Sequence, residues 1–154
     1  MTAALLATLD SRLDSARRLR LARDSWITRR EGLDRYQRAI RAAVDRFRRS
    51  IPALEQIRQL AGPSPSALMP LSIRLNEALR ALNKVQVPVE AQAIQTMLTN
   101  ASQTAIRAAA SRRIAIATGD MPTAWEAASA AAGALLMFER AQDELRKLTS
   151  PPGQ

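Results

Sequence analysis

The chain has 154 residues, a formal net charge of +9, and neither cysteine nor histidine. This length suits a single domain with its own core, and a hydrophobic content of 47% is too high for a disordered chain. The missing cysteine and histidine exclude disulfides, thiolate chemistry and the commonest metal ligand and general base. No stretch is apolar over the ~20 residues of a membrane span, and no basic region precedes the first apolar patch. We therefore expect a cytoplasmic protein with no membrane partner.

Nearly all of the positive charge lies in one quarter of the chain. From Arg12 to Arg49 there are thirteen arginines, no lysine and five acids, which leaves +8 within 38 residues. Guanidinium groups suit phosphate and carboxylate because their planar fork donates two parallel hydrogen bonds. This stretch is therefore the first candidate for a polyanion-binding surface.

The second half of the basic stretch predicts a helix with two distinct faces. Its apolar residues recur every three or four positions, as on one side of a helix: Leu33, Tyr36, Ile40, Val44, Phe47 and Ile51. At 100° per residue, the arginines from Arg35 to Arg49 fall on the opposite side.

The first half has its own stripe, whose phase is turned away from the later one: Leu5, Leu9, Leu13 and Ala16. Residues 3–51 are therefore either one long helix or two helices that break near Gly32. We favour one helix, because a single glycine costs only ~1 kcal/mol.

Proline and glycine divide the rest of the chain. Pro52 predicts a kink or restart, followed by a short helix over 53–61. Residues 62–66, Gly-Pro-Ser-Pro-Ser, predict a loop, after which Ser66 caps a helix that ends at Asn83. An extended connector over 84–88 leads to a helix that has Pro88 in its first turn and runs to Thr118.

Gly119 ends that helix, and Asp120 caps the last one across a tight turn. The last helix is predicted to end before Pro151 and to bury one residue in every three or four: Trp125, Ala128, Ala132, Leu135, Phe138, Ala141 (or Gln142), Leu145 and Leu148. The fold prediction is therefore an all-α, up-and-down bundle of four or five helices with a long basic first helix and a C-terminal antiparallel helical hairpin. We expect a single domain over residues 1–149 and a flexible tail over 150–154.

The sequence offers little for catalysis. It has no glycine-rich phosphate loop, and a helical-bundle metal site would usually include histidine. The acids Glu139, Asp143 and Glu144 are better interpreted as ion-pair partners of Arg140, Arg146 and Lys147. We therefore expect no enzyme activity, no bound metal and no cofactor.

The excess of arginine predicts contacts to the phosphate backbone of RNA or DNA, without base recognition. The candidate residues lie in the basic stretch and in a smaller patch beside Arg107: Arg17, Arg18, Arg20, Arg23, Arg29, Arg30, Arg35, Arg38, Arg41, Arg46, Arg48, Arg49, Arg112 and Arg113. Trp26 could stack on an unpaired base or anchor the core, and we favour the core.

Two other classes of function fit the same pattern. A structural bundle could use its long amphipathic helix to form oligomers, with the arginines bound to acidic protein surfaces. A basic amphipathic helix could also bind anionic lipid, although the stripe over 33–51 is narrow and suits helix packing better.

A small, basic, all-helical chain with arginines spread over one surface and no catalytic set resembles the small subunits of multi-subunit CRISPR effector complexes. Those subunits are helical bundles that stack in several copies along the complex and contact nucleic-acid backbones. The resemblance covers length, charge and helical content, without a shared motif, so it transfers no residue role. It implies a subunit of a nucleoprotein complex of antiviral defence, whose partners are nucleic acid and other protein subunits, including copies of itself. Nucleoid and phage assembly proteins share these features.

Overall fold

The structure, a computed structural model, describes residues 2–153. These residues form four α-helices, α1 (Thr2–Arg58), α2 (Pro65–Asn83), α3 (Gln92–Thr118) and α4 (Met121–Thr149), and a 3-10 turn at Val89–Ala91. No strand occurs in this part of the chain. The helices run up and down against one another, so the predicted all-α bundle is confirmed.

Helix α1 is continuous over 57 residues, a length of about 85 Å at 1.5 Å per residue. The preference for one helix over two is confirmed, since Gly32 does not interrupt it. The predicted restart at Pro52 and the separate helix over 53–61 are wrong, because α1 runs through Pro52 to Arg58. Leu54 and Ile57, just beyond the proline, are fully buried, and burying two such side chains contributes ~3–6 kcal/mol. That exceeds the ~3 kcal/mol that an interior proline costs.

Two predicted helix starts also need correction. Ser66 does not cap α2, which begins at Pro65 with Ser64 as its N-cap residue; the fixed φ of proline suits the first helical position. Pro88 lies before the 3-10 turn rather than within α3. The buried stripe of α2 has Ala78 rather than its neighbour Leu79 pointing inward: Leu68, Leu71, Leu75, Ala78 and Leu82.

The hairpin between α3 and α4 closes as predicted. Gly119 has a left-handed φ of 69°, and its N–H donates to the carbonyl of Ala115 at 2.8 Å. The side chain of Asp120 accepts a hydrogen bond from the Thr123 N–H at 3.2 Å. These two bonds satisfy backbone groups that the helix ends would otherwise leave unpaired.

The first half of α4 buries a different face from the predicted one. The fully buried positions are Ala124, Ala127, Ala131 and Ala134, each one residue before a predicted position. The prediction is wrong for Trp125, whereas Ala128, Ala132 and Leu135 are partly buried. Trp125 is 57% exposed. Small residues on both helices let α3 and α4 pack closely, and a tryptophan has no room in that contact. From Phe138 onward the predicted phase is correct, with Ala141 and Leu145 buried.

The core lies between the second half of α1 and helices α2 to α4. Phe47 stacks on Phe138 with ring centroids 4.2 Å apart and an interplanar angle of 17°. The hydroxyl of Tyr36 donates to Oε1 of Gln95 at 2.8 Å, and Nε2 of Gln95 donates to the carbonyl of Leu82 at 2.8 Å. Burial raises the pKa of Tyr36 to about 12. These bonds fix the start of α3 beside Tyr36.

Residues 2–31 of α1, called the arm below, extend beyond this bundle. Leu33 is the first buried residue of α1, and Trp26 and Arg29 are the only residues of the arm that are even half-buried. Both line a shallow depression with Leu148 and Pro151–Gly153, so these residues lie beside the arm. The arm is therefore a nearly free helix of about 45 Å. Across residues 2–153, no helix is long and apolar enough to cross a membrane.

Candidate nucleic-acid interface

The continuity of α1 aligns seven arginines along one face. They are separated by 8, 3, 7, 8, 3 and 7 residues, and are called the basic line below: Arg12, Arg20, Arg23, Arg30, Arg38, Arg41 and Arg48. Eighteen residues make five helical turns, so this spacing repeats in phase and keeps all seven within about 80° of the helix circumference. The line is about 55 Å long and passes from the arm onto the bundle. A break at Gly32 would have divided it.

Many arginines of α1 have no acidic partner. Five of the thirteen arginines between residues 12 and 49 lie within 4 Å of a carboxylate: Arg17 (Asp14, 3.7 Å), Arg30 (Asp34, 3.7 Å), Arg35 (Glu31, 3.4 Å), Arg46 (Glu77, 3.4 Å) and Arg48 (Asp45, 3.5 Å). Within residues 2–153, the others have no carboxylate within 4.0 Å: Arg12, Arg18, Arg20, Arg23, Arg29, Arg38, Arg41 and Arg49. Exposed pairs of this kind contribute only ~0–1 kcal/mol, so a phosphate can compete for the paired arginines too.

The predicted site residues of α1 divide into the basic line and its flanks. The helical positions place the remaining candidates beside the line. One flank carries Arg17, Arg35 and Arg46, and the other carries Arg18 and Arg29. Arg49 lies next to the line. Arg46 is half-buried and reaches toward α2, where its Nε lies 3.4 Å from Glu77. Arg12 was missed from the sequence, although it precedes Arg30 by the same eighteen residues that separate Arg20 from Arg38.

The bundle end of the basic line borders a cleft between α1 and α4. The cleft has a volume of about 230 Å³ and is lined by Arg41, Arg48, Asp45 and Gln142 among others. Arg48 donates to Asp45 at 3.5 Å and to Oε1 of Gln142 at 3.4 Å, so part of its donor capacity is already used. Arg41 and the neighbouring Arg38 are exposed and lack such partners. Both are therefore available to an anion at this cleft.

The two predicted residues of α3 lie elsewhere. Tyr36 contacts Gln95 near the start of α3, and α3 continues toward the Arg58 end of α1. Arg112 and Arg113 therefore lie about 25 Å farther along the bundle from Tyr36, away from the arm. Arg112 is half-buried, and its Nε has no hydrogen-bond partner among the described residues. They are therefore not an extension of the basic line. They also do not form the predicted patch with Arg107, because they are turned about 140° and 240° from it around α3.

Trp26 is not a core residue, so that prediction is wrong. The arm leaves the bundle before this position, and Trp26 lies half-exposed with the guanidinium carbon of Arg30 5.4 Å from its ring centroid. Stacking of Trp26 on a base stays a prediction. Trp125, which the sequence placed in the core, is the second exposed tryptophan and lies beside Arg107 in an open depression.

The structure brings no metal-binding cluster together: across residues 2–153, no three acidic side chains are close enough to hold an ion. Two of the three predicted acids of α4 form ion pairs, Asp143 with Arg146 and Glu144 with Lys147, the latter at 3.5 Å. These two acids are thus engaged as surface ion pairs. The prediction is wrong for Glu139 and Arg140, which have no ion pair within 4.0 Å among residues 2–153.

Comparison with known proteins gives no match: no protein-family model, curated protein or solved structure is similar to this chain.

Proposed function

We propose that this chain is a non-enzymatic subunit that binds the backbone of nucleic acid along the basic line of α1, within a larger nucleoprotein assembly. The observation that carries the proposal is the alignment of the seven arginines on one face of an unbroken helix. Arg20, Arg23, Arg38 and Arg41, in the middle of the line, have no acidic partner in the described part of the chain.

The electrostatics of the line favour a polyanion. Seven guanidinium groups on one rigid helix repel one another, and phosphates along a strand would relieve that repulsion while releasing bound counterions. A single anionic side chain cannot reach more than one or two of these sites, because the line extends about 55 Å. An extended polymer of phosphates matches its length.

The proposed contact is to phosphates and not to bases. The basic line consists of arginine alone on an unbroken helix, and contacts to phosphate position a protein without reading sequence. The proposal therefore includes both RNA and DNA, and other subunits of the assembly would determine which is bound. The resemblance to small subunits of CRISPR effector complexes supports this assignment.

The test compares two variants of equal net charge. Arg38/Arg41→Glu reverses two unpaired arginines of the line, whereas Arg80/Arg107→Glu reverses two exposed arginines on α2 and α3; both lower the formal net charge from +9 to +5. Binding to labelled 30-nucleotide RNA and to duplex DNA is measured by fluorescence anisotropy at 50 mM salt. We expect the first variant to lose affinity on the order of 10–100-fold and the second only a few-fold.

Two results would overturn the proposal: wild-type protein that binds neither nucleic acid at low salt, or equal losses in the two variants. The second result would mean that net charge alone, without the geometry of α1, accounts for the affinity.

A further inference from the structure

The arm exposes large apolar side chains that the bundle does not cover. Leu5, Leu6, Leu9 and Leu13 are 62%, 61%, 49% and 50% exposed. They lie on one side of the helix, and Ile27, which is 62% exposed, lies on the same side farther along. Contiguous apolar surface of this kind on a soluble helix marks an interaction site.

The spacing of this side is that of a coiled coil. Alternate steps of three and four residues connect seven positions, called the arm stripe below: Leu6, Leu9, Leu13, Ala16, Arg20, Arg23 and Ile27. Apolar residues that repeat every 3.5 positions on average pack against a similar helix. Arg20 and Arg23 interrupt the apolar residues of the stripe. Because like charges repel, their position determines which orientation of a second helix is favourable.

The charge of the arm is polarised along its length. Residues 2–16 contain two acids and one arginine, a net −1, whereas residues 17–32 contain six arginines and two acids, a net +4. A parallel pair of arms would place Arg20 against Arg20 and Arg23 against Arg23. An antiparallel pair instead places the acidic end of each arm against the basic part of the other.

We propose that the arm binds the arm of a second copy of this chain as an antiparallel helix pair. With Leu13 beside Ala16 of the second copy, Asp10 lies beside Arg17 of the second copy, and the symmetry of the dimer repeats this pair. Arg20 and Arg23 then lie beside Leu9 and Leu6 of the second copy, where their aliphatic stems cover the leucines and their charged ends reach water. Asp10 has no ion-pair partner within the described part of a single chain.

An anionic lipid surface fits the stripe less well. A membrane-bound helix buries a broad apolar face in the bilayer interface, and here the positions between Ala16 and Ile27 on that face are arginines. The net negative first part of the arm would also be repelled by a uniformly anionic surface.

In the nucleoprotein assembly of the proposed function, the paired arms would hold two copies of the chain together. Only this role depends on the proposed function, because the pairing itself is argued from the arm alone. The bundles would lie at opposite ends of the paired arms, with their Arg41 residues about 80 Å apart along the axis. Arg20 and Arg23 belong to both the arm stripe and the basic line, so pairing of the arms takes these two residues from the nucleic-acid surface. In the dimer, nucleic acid would contact only the bundle part of the line, from Arg30 to Arg48, which is about 27 Å long.

The first test measures molecular mass by sedimentation equilibrium without nucleic acid. We expect wild-type protein to reach twice the 16.9 kDa chain mass and Leu9/Leu13→Glu to dissociate, with a dissociation constant raised more than about 100-fold. The matched control is Leu21/Leu136→Glu, which replaces two exposed leucines outside the stripe and is expected to stay dimeric. A monomeric wild type, or equal behaviour of the two variants, overturns the proposal.

The second test measures orientation. The chain has no cysteine, so a single Thr28→Cys provides one site for a spin label. Distances between the two labels in the dimer are measured by pulsed electron paramagnetic resonance. Antiparallel arms place the labels about 40–50 Å apart, and parallel arms about 10 Å apart. The short distance would overturn the antiparallel pairing.

The lipid alternative is tested by flotation with vesicles of mixed phosphatidylcholine and phosphatidylserine. A monomer that floats with these vesicles, and loses that property in Leu9/Leu13→Glu, would assign the stripe to lipid and overturn the dimer. Because neither test contains nucleic acid, failure of the dimer leaves the proposed function untouched, and failure of the anisotropy experiment leaves the dimer untouched.

Discussion

Removal of the arm should leave the bundle folded. A variant that lacks residues 1–31 begins at Gly32, one residue before the first buried side chain of α1. It deletes about 45 Å of helix and none of the residues that form the core.

The expected cost follows from the contacts that are deleted. The variant loses the ion pairs Arg30–Asp34 and Glu31–Arg35, which as exposed pairs contribute ~0–1 kcal/mol each. It also loses the partial cover that Pro151–Gly153 give to Trp26. We therefore expect the free energy of unfolding to fall by less than about 2 kcal/mol. If the arm packed on the bundle instead, burial of Leu5, Leu6, Leu9 and Leu13 at ~1.5–3 kcal/mol each would be lost, at least about 6 kcal/mol.

The assay is urea denaturation followed by circular dichroism at two protein concentrations. A dimer that depends on the arm stabilises the wild type increasingly with concentration, so the comparison is made at the lower one. The truncated chain should unfold cooperatively, near the wild-type midpoint. A loss of 6 kcal/mol or more, or an unfolded truncated chain, would refute the description of the arm as a free helix.

Three further predictions concern the bundle. Phe47→Ala should lower the free energy of unfolding by ~3–5 kcal/mol, because it removes a buried ring stacked on Phe138. Leu136→Ala, at a site 66% exposed, should change the free energy of unfolding by less than about 0.5 kcal/mol. Similar losses in the two variants would contradict the packing of Phe47. Asp120→Ala should cost ~1 kcal/mol in thermal unfolding through the lost cap to Thr123, whereas Glu139→Ala, at an exposed position of α4, should cost almost nothing. Tyr36 is the only tyrosine, so absorbance at 295 nm during a pH titration reports it alone: we expect a midpoint of about 12 in the folded chain and one near 10 in urea. Since the folded pKa is the higher, stability should fall as the pH rises from 10 to 12, and a folded midpoint near 10 would contradict the burial of this hydroxyl.

The sequence predicted the fold where hydrophobic contrast is high. On α1 the stripe from Leu33 to Phe47 alternates with arginine, and all five of its positions in that range are buried. On α4 the run from Ala127 to Ala134 contains only Ala, Ser and Gly. All side chains in this run are small, so the periodicity of apolar residues does not determine which face of the helix is buried. The buried face of α4 is determined by its packing against α3, and that packing cannot be read from the sequence of α4 alone.

Tertiary packing decided two other features. The effect of Pro52 depends on whether Leu54 and Ile57 are buried on the same helix, which local propensity does not encode. The stripe of the arm differs in phase from the later stripe, and that difference was the signal that the two halves face different surroundings. It did not show that the arm would leave the bundle, and this is why Trp26 was misplaced. The seven arginines of the basic line share one face only because α1 is unbroken, so the line could not be predicted while one helix and two helices were both open.

The most direct test of nucleic-acid backbone binding by the basic line is the salt dependence of affinity for duplex DNA. The logarithm of the association constant is plotted against the logarithm of salt concentration for wild type, Arg38/Arg41→Gln and Arg80/Arg107→Gln. If Arg38 and Arg41 each contact one phosphate, the slope for the first variant should be smaller in magnitude by about 1.8, while the second keeps the wild-type slope. Equal slopes for wild type and Arg38/Arg41→Gln would contradict phosphate binding by the basic line.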